Sequence, residues 1–210
     1  MIYKFYQQRI FPHVLNQIMQ TPSLMESRRE LLTKIQGDVL EIGFGTGLNI
    51  PFYQAVDTLY ALEPNADVYH LAKDRVLNAP FHVQHIQASA EKLPFADNSI
   101  DNIVSTWTMC SISQLELAIT EIYRVLKPEG ILHLVEHVQY LDHPTLKKLQ
   151  DILTPLQKVI ADGCHLNRNI EFALLNANFK FLEKAYFDAE GLPKVGRRML
   201  MARAQKMKTA

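Results

Sequence analysis

Three glycines at alternate positions, Gly43-Phe44-Gly45-Thr46-Gly47, follow the apolar run Val39-Leu40-Glu41-Ile42. Twenty residues past Gly43, a second apolar run, Leu59-Tyr60-Ala61-Leu62, ends in Glu63. Each half of this pattern has a chemical use. Glycine has no Cβ, so the turn admits positive φ and lets a ligand approach the backbone. A carboxylate ending the next strand can accept two hydrogen bonds from the vicinal hydroxyls of a ribose. Together they imply an adenosine. The plainer readings are a solvated strand terminus for Glu63 and, for Glu41, an acid that bonds the turn's amides. A dinucleotide fingerprint, G-x-G-x-x-G/A, would require glycine or alanine where this chain has Leu48, which speaks against a nicotinamide-dependent oxidoreductase.

Sulfur and imidazole are the other reactive groups. Cys110 and Cys164 lie 54 residues apart with no paired-Cys motif, which suits a reducing compartment, the cytoplasm, better than a disulfide framework or a zinc site. His133 and His137 share a strand face but lie about 13 Å apart along an extended chain, too far to ligate one ion. No metal site is expected.

An α/β sheet is needed to bring these residues together, and the chain alternates short apolar runs with longer helical patterns in that manner. Strands are expected near 39–43, 59–63, 81–88, 101–107, 130–137, 179–187 and 194–204, with helices near 48–55, 66–78, 114–126 and 168–177. Leu115, Ala118, Ile119, Ile122 and Leu126 fall on one helical face, and Lys127-Pro128-Glu129-Gly130 ends that helix. The connection 188–193 is too short for a parallel crossover, so an antiparallel last strand is expected. The single domain then divides into a helical cap over 1–36, a core over 37–137, an insertion over 138–168 and a helix with a strand pair over 169–210. The insertion has its own helical pattern, Leu146, Leu149, Leu153 and Leu156.

With 210 residues, 48% of them hydrophobic, and 22 basic against 22 acidic side chains, the chain can bury a full core and lacks the positive charge of a nucleic-acid binder. The first twenty residues include Lys4, Arg9 and Pro12, so no continuous apolar span is expected there. Their aromatics, Tyr3, Phe5, Tyr6 and Phe11, suit a helix packed on the domain, a cover for the active site or a peripheral membrane contact. Arg197, Arg198, Arg203, Lys206 and Lys208 read as a solvated edge strand or as a contact for anionic lipid.

Taken in order, Leu40-Glu41-Ile42-Gly43-x-Gly45-Thr46-Gly47, Glu63-Pro64-Asn65, the run from Ala88 to Phe95, Asn98-Ser99-Ile100-Asp101 and the run from Glu121 to Gly130 resemble class I S-adenosylmethionine-dependent methyltransferases across roughly residues 38–137. Three further stretches look like the thiol S-methyltransferases of animal microsomes and their bacterial relatives: Trp107 to Ile112, Val135 to Val138 and Asp162 to Arg168. The resemblance implies a Rossmann-like fold with a seven-stranded, mostly parallel sheet, an antiparallel last strand and helices on both faces. It implies S-adenosyl-L-methionine as cofactor. Glu41, Gly43, Gly45 and Gly47 would flank its methionine moiety, Glu63 would hold the ribose, and Ala90 with Glu91 would border the adenine. Asn49, Pro64 and Thr106 complete the expected cofactor set. Many family members carry Asp where this chain has Ser89, leaving Ser89 or Glu91 to meet the adenine. The animal enzymes begin with an apolar membrane anchor that these residues do not match, so membrane residence is not expected to carry over.

Methyl transfer from a sulfonium is an in-line displacement that depends mainly on positioning, worth about 7–11 kcal/mol. Trp107, Thr108, Cys110, Cys164 and His137 are expected to line the acceptor side, with His137 as candidate base or, alternatively, a strand-end histidine bonded to a nearby loop. The cysteines could equally be small buried hydrophobes, and Trp107 a core residue. Asp162 and Arg168 are expected to pair, or Asn167 to cap a helix. The expected acceptor is a small molecule, first a thiol, with O- or N-methylation of a lipid- or quinone-like molecule as the alternative and a non-catalytic adenosyl-ligand sensor as a rival from another class.

Overall fold

Alternation along the strands gives the sheet two apolar faces. In β1 (Gln36–Ile42), Leu40 and Ile42 join one buried cluster and Val39 the other. The computed structural model describes residues 6–207; Tyr3, Phe5 and Lys208 lie outside them. The sheet order is β3-β2-β1-β4-β5-β7-β6, with β2 (Ala55–Leu62), β3 (His82–Ile86), β4 (Ile100–Thr106), β5 (Leu126–His137), β6 (Phe179–Asp188) and β7 (Arg198–Lys206). β1 pairs parallel with both β2 and β4, so the chain winds outward from β1 in one direction and returns to start in the other. The crevice outside the carboxyl ends of β1 and β4 is therefore where a ligand belongs. Only β7 is reversed, lying antiparallel between β5 and β6, as the short 188–193 connection demands.

On one face lie α5 (Leu115–Val125), through Ala118, Ile119 and Ile122, and α7 (Ile170–Asn176), through Ile170 and Leu174. On the other lies α2 (Pro22–Leu32), whose Leu31 and Leu32 pack with Val39, Leu59, Val104 and Val135. α1 (Phe11–Ile18), entered by a π-helical turn at Tyr6–Ile10, lies at the end of the sheet, as does α6 (Pro144–Ile160).

Several local expectations are corrected. Residues 48–55 form only a 3-10 turn, Ile50–Phe52, because Pro51 and the start of β2 at Ala55 leave no room for a longer helix. The helix expected over 66–78 is two short ones, α3 (Ala66–His70) and α4 (Lys73–Leu77). β5 begins at Leu126 opposite Ile100, and Lys127 to Gly130 form a bulge before regular pairing resumes at Ile131. Residues 194–196 make a 3-10 turn, so β7 starts at Arg198. β7 is an inner strand, which removes the edge-strand reading of its basic residues. Arg197 and Arg198 pair with Asp188, Arg198 also with Asp142, and Arg203 with Glu183, so these three arginines offer little free positive charge to a lipid. In α6 the apolar stripe does not turn inward. Gln150 and Thr154 are its buried residues while Leu149 and Leu156 are exposed. Gln150 explains the inversion: it accepts from Tyr140 N and donates to the carbonyls of Val138 and Val195.

Candidate active site

A cavity of about 780 Å³ opens at the carboxyl ends of the central strands, within the usual range for small-ligand sites of about 300–1,000 Å³. Every residue nominated from the sequence lines it except Gly47. Gly47 sits behind the turn, where a Cβ would come within 3.1 Å of the Phe44 ring. α1 roofs the cavity, with Thr46 Oγ1 donating to Asn16 Oδ1 at 2.8 Å. Tyr6 Oη donates to Ile160 O at 2.8 Å, joining this roof to the end of α6. Of the readings open for the amino-terminal segment, the described part covers the site.

The glycine turn is held by its own backbone. Gly43 and Phe44 both donate to Leu62 O at 3.0 Å. Gly43 has φ +69, and a Cβ there would lie 2.2 Å from Thr108 Oγ1, so glycine alone lets the two loops meet. Gly45 also has positive φ, but a Cβ there would meet nothing nearer than Gly43 O at 3.8 Å; its surface is open to a ligand. Since only a 3-10 turn follows, the backbone and Glu63, rather than a helix dipole, define this end of the site. Glu63 accepts from Gly45 N through Oε2 and from Asn65 N through Oε1, both at 2.9 Å. Each oxygen keeps a lone pair for a further donor. Burial pushes the Glu63 carboxyl up from its ordinary value, against the pull of those two amides.

Beneath the turn is a closed polar network. Glu41 is 1% exposed and accepts from Asn49 Nδ2 at 3.0 Å and Tyr53 Oη at 2.6 Å. Asn49 also donates to Thr106 Oγ1 and accepts from Arg28 Nε. The Arg28 guanidinium lies 4.5 Å above the Trp107 ring. Burial pushes Glu41 up to about 7 and Arg28 down to about 10, outweighing their mutual attraction. Glu41 does bond near the turn, as its plainer reading expected, but to side chains and not amides. Ser89 and Glu91 bond each other, and Glu91 accepts from Gln114 N at 2.7 Å at the start of α5.

The acceptor end is shaped by a carboxylate in the Val135 to Val138 stretch, to which the sequence assigned no role. Glu136, fully buried, accepts from Ser105 Oγ at 2.6 Å and from the amides of Thr108, Met109 and Cys110. This single carboxylate folds the loop after β4. Arg168 clamps the same loop from outside, donating to the carbonyls of Met109 and Ile112, which is the partner it takes in place of the expected Asp162. Asn169, not Asn167, caps α7 by accepting from Phe172 N. For Glu136 the available signals were the Val135 to Val138 stretch and alternation in β5; Arg28 carries no motif, and only its place on the α2 face marked it. Trp107 is held at φ +55 with its indole N–H on Met199 Sδ at 3.2 Å, and it serves both wall and core. Cys110 and Cys164 come within 3.7 Å, sulfur to sulfur. Cys164 and burial hold the Cys110 thiol well above its usual range. His137 is 5% exposed and its ring lies beside the Cys110 thiol, but neither nitrogen makes a well-formed hydrogen bond.

Residues 40–134 match the family described as "Methyltransferase domain". The chain is 34% identical over 177 residues to thiol S-methyltransferase TMT1B of Rattus norvegicus, a match covering 78% of this chain and 68% of that one. The chain belongs to the class I S-adenosylmethionine-dependent methyltransferases. This methyltransferase is also 31% identical over 115 residues to the ubiquinone/menaquinone biosynthesis C-methyltransferase UbiE of Klebsiella pneumoniae, covering 52% of this chain and 46% of that one. A solved structure of a putative methyltransferase from Bacillus halodurans superposes with a TM-score of 0.69 at 16% identity, covering 87% of this chain and 98% of that one. The cofactor of the methyltransferase is S-adenosylmethionine, which disposes of the nicotinamide reading. Among the described residues no helix is long and apolar enough to cross a membrane.

Proposed function

We propose that this methyltransferase transfers a methyl group to the sulfur of a small thiol. The observation that carries the proposal is the reach of the kinship. Likeness to the thiol S-methyltransferase extends over 177 residues, against 115 for UbiE, so it takes in much of the chain outside 40–134, where α1, α6 and the Cys164 loop close the cavity. The residues at the cofactor end fit an adenosyl group: open backbone at Gly45 and a buried carboxylate with lone pairs to spare. S-adenosylmethionine supplies an electrophilic methyl group on a sulfonium. Glu63 holds the ribose hydroxyls, Ala90 and Glu91 border the adenine, and the Glu41–Asn49–Thr106 network fixes the floor beneath the methionine moiety. Phe11, Leu15 and Met199 give the cavity apolar walls that disfavour water. A base at His137 would need a second group to orient its ring, and neither nitrogen makes a well-formed hydrogen bond to one.

The test is a panel of small thiols, phenols, quinols and amines incubated with S-adenosylmethionine and the full chain, with products identified by mass. Methyl thioethers are expected. Methylation confined to quinols or phenols would overturn the thiol reading in favour of a quinone-like acceptor, the reading that the UbiE likeness and the apolar walls favour second.

A further inference from the structure

Cys110, His137 and Cys164 come from three separate segments, the loop after β4, the end of β5 and the loop after α6. One ligating atom from each lies within 4.8 Å of the other two, and all three residues line the cavity. Cys110 and His137 are 3% and 5% exposed, and the imidazole lies beside the Cys110 thiol without a well-formed hydrogen bond at either nitrogen. A buried imidazole with no well-formed hydrogen bond is expensive to fold, which calls for something to satisfy it. The sulfurs are 3.7 Å apart. Two thiolates on one tetrahedral zinc, with bonds of about 2.3 Å, stand about 3.8 Å apart, whereas a disulfide would draw them to about 2.0 Å.

We propose that Cys110, His137 and Cys164 bind one zinc ion, with the fourth position open to the cavity for the sulfur of the acceptor. The acceptor half of this proposal rests on the thiol reading above. Three protein ligands and one open position is the arrangement of catalytic rather than structural zinc. Two thiolates, a neutral imidazole and Zn²⁺ sum to zero charge, which a buried site tolerates. An acceptor thiol that binds there gives its proton to solvent, since a coordinating thiol ionises outright. The site then carries one negative charge opposite the sulfonium. The acceptor sulfur's electron pair forms the new carbon–sulfur bond while the sulfonium's methyl–sulfur bond breaks and leaves its pair on the cofactor's sulfur. The product thioether is neutral and a weaker ligand, so it departs.

The test begins with binding, not turnover. Full chain, reduced and freed of metal, is dialysed against Zn²⁺, and against Co²⁺ as the spectroscopic probe. One equivalent of metal and a thiolate-to-cobalt charge-transfer band are expected. Cys110→Ser and Cys164→Ser should each weaken binding about a hundredfold or more, and unchanged S-adenosylhomocysteine affinity will show that these variants are folded. Substoichiometric binding to the unmodified chain, or a Cys110–Cys164 disulfide formed in its place, overturns the site. Adding mercaptoethanol to the cobalt form should intensify the charge-transfer band while ethylene glycol leaves it unchanged; no response to the thiol overturns the open acceptor position. If metal binds and only phenols are methylated, the thiol reading fails while the metal site stands.

Discussion

The two ends of the cavity are built differently. At the β1–β2 end, Glu63 is held by two amides, and Glu41 by Asn49 and Tyr53, with Arg28 closing the network. At the β4–β5 end, one carboxylate, Glu136, arranges the loop, and beside hydroxyls such as Ser111 the lining carries two thiols and the His137 imidazole, whose nitrogens make no well-formed hydrogen bond. Among the described residues the buried side-chain atoms lacking a partner are both His137 nitrogens and His133 Nδ1. A site with every group satisfied is preorganised for one ligand. A site that leaves buried groups unsatisfied awaits a ligand to complete it. The first arrangement suits the invariant adenosyl group, the second an acceptor that differs between relatives.

Substitutions at Glu136, Gly43 and Glu63 should separate the two ends. Glu136→Ala orphans four donors at once and should destabilise the fold by about 4 kcal/mol or more, read by chemical unfolding. In the milder Glu136→Gln the acceptor KM should rise while S-adenosylhomocysteine affinity holds; equal loss of both would erase the division between the ends. Gly43→Ala drives a methyl group into Thr108 and should cost about 2–4 kcal/mol of stability. Adding Thr108→Ala should recover part of it, and no recovery would mean that positive φ, not the close approach, is what demands glycine. Glu63→Gln should weaken S-adenosylhomocysteine about 30- to 100-fold by calorimetry, the worth of charged hydrogen bonds of about 2–3 kcal/mol, with the acceptor KM unchanged.

The cofactor end was legible in the sequence because backbone conformation and one carboxylate define it. Glycine at 43 and 45 and an acid at 63 announce themselves by type and spacing. The strands were legible for the same reason, since alternation survives local irregularity, although the bulge at Lys127 to Gly130 and the 3-10 turn at Ile50–Phe52 depend on packing and Pro51 and were not. The acceptor end was legible only residue by residue. Cys110, His137 and Cys164 could each be named, but their convergence depends on Glu136 folding one loop and Arg168 clamping it, contacts between residues 26 to 59 positions apart. Arg28 was hidden because a buried guanidinium in α2 looks, in sequence, like any helical arginine. The insertion misled because its leucines are spaced as a core face while Gln150 occupies the buried position.

The smallest expected effect tests how tightly the cofactor end is closed. Burial raises Glu41 from 4.5 to about 7, so between those values the folded chain holds a proton that the unfolded chain has released. Stability should therefore fall as pH rises through that window and level off above it. Glu63 and Glu136 are raised as well, so the native slope is shared, and the difference between native chain and Glu41→Gln isolates one group. Glutamine keeps an oxygen for Tyr53 while removing the titration. From pH 5 to 6.5 the native chain should lose on the order of 2 kcal/mol more than the variant, measured by urea unfolding at each pH. Equal slopes would mean that Glu41 stays ionised against Arg28, and that this end of the cavity is a buried ion pair and not a neutral hydrogen-bonded network.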